Sequence, residues 1–100
     1  MKFTENETTI LNRFLDKEGR IKNWPSKREK QKLIFKYLAQ KFEANKTYTE
    51  FEINLILASY HTFNDHFLLR RGLVDYGYLK RERDGSAYWV NNERINGITV

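Results

Sequence analysis

Between Asn64 and Val90 the spacing of apolar residues changes from a helical to an alternating period. Leu69, Leu73 and Tyr76 recur at i, i+4 and i+7, which predicts one buried helical stripe with Arg70 and Arg71 turned away from it. Asn64 is placed to cap the start of this helix, and Gly77 its end, where a left-handed residue is wanted. Gly72 falls inside the pattern and costs a helix about 1 kcal/mol relative to alanine, so packing has to hold it. Two alternating runs then flank Asp84-Gly85, the signature of a hairpin closed by a type I′ turn. That register pairs Arg83 with Ser86, Arg81 with Tyr88 and Leu79 with Val90. Leu79, Arg81, Tyr88 and Val90 share the face expected to meet the core, and Lys80 and Trp89 share the outer one.

Upstream, Ile10, Leu11, Phe14 and Leu15 predict an amphipathic helix over 6–15. It either covers the outer hairpin face and Trp89 or pairs with its copy in a dimer. A connector from Asp16 to Pro25 carries Trp24, whose place before proline suits a lid on the core. Ser26 and Glu29 predict a capping box for a second helix, with Leu33, Ile34, Tyr37, Leu38 and Phe42 buried and Lys32 and Lys36 opposite. Lys46-Thr47-Tyr48 predicts a short strand against the hairpin. Thr49 and Glu52 predict the box of a third helix, with Ile53, Ile56, Leu57 and Tyr60 inward. The turn Tyr60-His61-Thr62-Phe63 then leads into the helix at 64. The whole reads as one α+β domain: a winged helix, with a three-helix helix-turn-helix core, a C-terminal β-hairpin and an extra N-terminal helix. Residues 1–18 form an arm, 19–90 the core and 91–100 a polar tail in which Ile95, Ile98 and Val100 offer an edge strand.

Composition narrows the class. The chain has 100 residues, 40% of them hydrophobic and 15 in every hundred aromatic, enough for one packed core. It has no cysteine, which removes disulfides and thiol chemistry. The absence of a long apolar run or signal-like start predicts a cytoplasmic protein with no membrane partner. The net charge of +5 is uneven: residues 17–46 hold ten cations against three acids, +7, which leaves −2 elsewhere. Such a surface attracts phosphate polymers or acidic partners, or serves as a solvated face.

Several runs carry a resemblance. They are Arg20 to Arg28, Tyr48-Thr49-Glu50, Arg70-Arg71, Leu73 to Gly77, Lys80 to Ser86 and Tyr88-Trp89. Together they resemble an uncharacterised bacterial winged-helix-like domain family, found free-standing or attached behind ArsR-type transcriptional regulators. The likeness covers about residues 19–90. It implies a role in transcription control and assigns no ligand, cofactor or catalytic residue. The sequence departs from the family pattern at Gly72, where a charged helix former such as glutamate is expected.

No nucleophile motif or glycine-rich phosphate cradle is present, so no enzyme is expected. His61, His66 and Asp65 fall short of the four ligands of structural zinc. Duplex DNA is the leading partner. In a winged helix the last helix enters the major groove, which makes Asn64, His66, Arg70 and Arg71 the base readers. Lys80, Arg81 and Arg83 on the wing, with Lys27 and Arg28, would serve phosphates. The alternative is a protein-interaction module that docks through Phe14, Leu15 and Trp89. Stacking of single-stranded bases on Trp89 beside Lys80 is a third, smaller expectation.

Overall fold

In a computed structural model that describes residues 3–95, the first helix, α1, spans Glu5–Asn12. Thr4 caps it in a reciprocal box with Glu7, a signal that the apolar pattern alone passes over. Leu11 is buried, and α1 packs on α2 (Arg28–Ala39) rather than on the outer hairpin face. Glu7 accepts from Lys36 Nζ at 3.3 Å, which fastens the two helices at their polar edge. The backbone N–H of Thr4 first, then Lys36, hold the Glu7 carboxyl below its ordinary value, although partial burial opposes this. The support that Glu7 gives is therefore complete above the ordinary carboxylate range and lost as pH falls through its lowered value. Glu7→Gln is expected to cost about 0.5–1 kcal/mol at neutral pH, and urea melts should show that difference vanish in strong acid.

The box expected for α2 does not form. Lys27 is the cap residue and makes no side-chain bond, while the Gln31 amide reaches back to the Pro25 carbonyl at 2.9 Å. Leu33, Ile34, Phe35, Leu38 and Ala39 are buried, so α2 is the central packing element. The connector before it is stitched into the fold. Ile21, fully buried, donates to the Tyr60 carbonyl at 2.7 Å and accepts from Thr62 N–H at 3.0 Å. Trp24 lies edge-on to Phe35, ring centroids 5.3 Å apart, as a lid should.

Strand β1 (Thr47–Tyr48) leads into α3 (Glu50–Ala58), whose Thr49–Glu52 capping box forms as expected. Helix α4 covers His66–Asp75. Its cap is Asp65, which accepts from Leu68 N–H, and not Asn64, which takes a left-handed φ of 52° one residue earlier. Gly77 ends α4 at φ 81°, as expected. Gly72 proves to be a packing requirement, since a Cβ there would overlap Cζ and Cε1 of the Phe35 ring and lie 2.8 Å from Cε2.

Strands β2 (Leu79–Arg81) and β3 (Tyr88–Val90) pair in the expected register, Leu79 with Val90 and Arg81 with Tyr88. The turn differs from the expected type I′. Gly85 N–H bonds the Glu82 carbonyl, and only Gly85 takes positive φ, so the turn begins one residue early. Beyond Arg81 the ladder continues only as Glu82 N–H to the Ala87 carbonyl, and Arg83 is not paired with Ser86. Leu79, Tyr88 and Val90 are buried, Lys80 is exposed and Trp89 half-buried. The antiparallel sheet has the order β1-β3-β2, and a single helical turn, α5 (Asn92–Ile95), follows. The expected strand through Ile98 and Val100 lies outside the described residues. This α+β arrangement is compatible with a winged-helix-like fold. Among the described residues no helix is long and apolar enough to cross a membrane.

Candidate nucleic-acid interface

Helix α4 presents one side to the core through Leu69, Gly72 and Leu73. The two arginines that follow Leu69 part company. Arg70 is turned against α3, with its side chain 13% exposed, an Nη1 bond to Asn54 Oδ1 and an ion pair to Glu50 at 3.9 Å. Its guanidinium also lies 5.2 Å from the Phe67 ring centroid. Arg71 has its side chain 71% exposed and, among the described residues, pairs with Asp75 at 3.6 Å. Of the pair expected to read bases, Arg71 is open and Arg70 is committed to the protein. The local reason is a neighbour: Arg70 stands beside the buried stripe on the side where α3 passes.

Asn64 is exposed just before α4 and His66, its first residue, is half-exposed, but His66 lies one turn before Arg70 and on a different side of the helix from Arg71. Asp65 is exposed between them, and its carboxylate is turned to the helix N-terminus, where negative charge offsets the macrodipole. His61 is buried rather than a turn surface residue. Its Nδ1 lies 2.7 Å from the Leu57 carbonyl, and its Nε2 accepts from Asp65 N–H at 2.8 Å. Those two bonds require the neutral ring with its proton on Nδ1. The imidazole thereby joins the end of α3 to the cap of α4 and sets the angle between them.

Beside Arg70, Glu50 ties three elements together. It pairs with Arg70 of α4 and accepts from the hydroxyl of Tyr88, a buried residue of β3, at 2.9 Å. The hairpin is thus anchored at a fixed distance from α4, and a cleft of about 320 Å³ separates them. Arg81, exposed at the end of β2, lines that cleft with Arg70, Arg71 and Asp75. Arg83, nearer the hairpin tip, and Lys80, on the opposite face of β2 from Arg81, are also exposed. The wing is not uniformly cationic. The Ser86 hydroxyl and N–H keep the Asp84 carboxyl below its ordinary value, so a fixed negative charge sits at the hairpin tip.

The basic segment reaches this surface from the other flank. Arg28 and Lys32 share a stripe with Phe35 at i, i+4 and i+7, and Phe35 is the ring that rests on Gly72 of α4. Lys32 Nζ lies 5.9 Å from the Tyr76 ring. A second recess, lined by Trp24, Gln31, Leu68 and Arg71, joins the two helices at the surface. Among the described residues Lys36, Lys46 and Arg20 are each paired with a carboxylate, whereas Lys17, Lys22, Lys27, Arg28, Lys30, Lys32 and Lys41 make no ion pair. The unpaired charge therefore runs along the whole segment, and Lys32 is the part of it that reaches Tyr76 at the end of α4.

Of the residues expected to dock a partner protein, Phe14 and Leu15 are half-buried against the core, and Trp89, also half-buried, stands on the central strand of the sheet. Among the described residues, the large hydrophobics most open to water are Phe51 and Leu55 on α3 and Phe67 on α4, at 69%, 54% and 56% exposure. A sequence signal for them exists: α3 has more apolar residues than its inward stripe of Ile53, Ile56, Leu57 and Tyr60 needs. No cluster of three metal-ligating side chains occurs among the described residues.

No curated protein and no solved structure matches the chain. The chain belongs to the family described as an uncharacterized protein conserved in bacteria (DUF2087), which matches residues 20–90.

Proposed function

We propose that this member of a bacterial family is a winged-helix module that binds duplex DNA through α4 and the β2–β3 wing, as a transcriptional regulator or an accessory part of one. It is not an enzyme on this reading. The observation that carries it is Arg71, open on α4 beside the cleft that Arg81 lines, with exposed Lys80 and Arg83 on the same hairpin and exposed Lys27 and Arg28 at the start of α2, the helix that packs on α4. A guanidinium so placed can bond guanine through two parallel hydrogen bonds, while the flanking cations meet phosphates. Asn64 completes the reading edge, and Arg70 acts as a brace rather than a reader. Fluorescence anisotropy against a mixed-sequence duplex tests the proposal; binding that weakens steeply with salt supports it.

A second reading, as a protein-interaction module, is favoured by Phe51, Leu55 and Phe67. They expose large apolar side chains on the same two helices, where Glu50 and Glu52 would oppose phosphate. On that reading, Phe51→Ser with Phe67→Ser abolishes association with a partner protein, and wild-type protein shows no duplex binding at any salt.

A further inference from the structure

We infer that the cleft between α4 and the hairpin is a binding site for a small aromatic monocarboxylate. Its walls supply both halves of such a ligand. Phe67, Val74 and Tyr88 line the cleft with apolar surface, and Phe67 is more than half open to water. Arg70, Arg71 and Arg81 line the same space.

Their commitments differ. Arg70 is fixed by Asn54, Glu50 and the Phe67 ring, so it offers a stationary positive wall. Arg71 meets Asp75 only at 3.6 Å, and Arg81 has one Nη2 contact to the Arg83 carbonyl at 3.3 Å. Both keep donors in the planar fork that a carboxylate accepts from most strongly. Asp75 and Glu50 answer Arg71 and Arg70, and Asp84 acts on Arg81 from the hairpin turn, so the cleft carries little surplus positive charge and opposes a second carboxylate. The volume of about 320 Å³ lies at the small end of ligand sites and suits one or two fused rings. A phosphate group matches the charge but brings nothing against Phe67 and Val74. The inference does not rest on duplex binding, although Arg71 and Arg81 serve both, so an occupied cleft should weaken duplex binding.

The test is an NMR titration of the full chain, without DNA, using 2-naphthoate, its neutral alcohol 2-naphthalenemethanol, and inorganic phosphate. The expected result is saturable shifts at Phe67, Val74, Arg81 and Tyr88 by naphthoate, with a dissociation constant of about 1 mM or below. The alcohol and phosphate should each bind at least about tenfold more weakly, and Arg81→Gln should lose about tenfold for naphthoate. Asp75→Asn should bind naphthoate more tightly, a gain that misfolding does not produce. Equal binding of the alcohol would remove the role of the carboxylate, and equal binding of phosphate would remove that of the ring. Either result, or shifts confined to residues outside the cleft, overturns the assignment. Duplex affinity measured separately reports on the other reading whichever way this titration falls.

Discussion

Gly72→Ala is expected to destabilise the domain by about 2 kcal/mol, although in an unencumbered helix the same change gains about 1 kcal/mol. The added methyl meets the face of Phe35, a ring 2% exposed and held between Trp24 at 5.3 Å and Tyr76 at 5.2 Å. Neither neighbour leaves it room to retreat, so α2 and α4 must separate. The same contact explains why a glutamate at this position would not be tolerated with phenylalanine at 35. Phe35→Ala alone should cost about 3–5 kcal/mol through the cavity it leaves. The double variant should cost less than the sum, because the alanine methyl then occupies part of that cavity, with a coupling of about 1–3 kcal/mol. Urea denaturation of the four proteins checks this. Additive costs would mean that the helices are not in contact at this point.

The second expectation separates two adjacent arginines. Arg70→Ala should lower stability by about 1–3 kcal/mol, since it strips a hydrogen bond from Asn54 and a partner from Glu50 in a half-buried network that also holds Tyr88. Its effect on duplex affinity, measured where the variant is folded, should be small. Arg71→Ala should do the reverse. Its exposed pair with Asp75 contributes little to folding, while loss of a bidentate base contact weakens duplex binding by about 1–3 kcal/mol. Thermal melts and anisotropy on the same samples report both quantities.

What was legible in the chain was whatever neighbouring residues decide among themselves. The Thr49–Glu52 box, the Leu79–Val90 and Arg81–Tyr88 pairs of the hairpin and the Gly77 terminus are settled within a few residues and stand as the sequence reads, whereas the turn between the strands starts one residue early. What else failed depended on a distant partner. Ser26 and Glu29 look like a capping box, yet the Gln31 amide turns to the Pro25 carbonyl and Lys27 becomes the cap. Asn64 and Asp65 are both good caps, and the His61 ring that bonds Asp65 N–H sets which of them serves. Arg70 and Arg71 look alike on a helical wheel drawn from Leu69, Leu73 and Tyr76. The wheel does not say on which side α3 lies, and that side decides which guanidinium reaches solvent. Gly72 reads as a weakness until Phe35, a full helix away in the chain, is set against it.

The most direct test of duplex binding is the salt dependence of affinity for a mixed-sequence duplex between about 50 and 200 mM monovalent salt, where phosphate contacts are most telling. If Lys27, Arg28, Arg71, Lys80, Arg81 and Arg83 all meet phosphates or groove edges, log affinity should fall with log salt at a slope of about −5, a loss of roughly a thousandfold over that range. Removing Lys27 and Arg28 together should make the slope shallower by about two. A flat dependence, or no binding at the lower salt, would contradict the account and leave the exposed phenylalanines of α3 and α4 as the working surface.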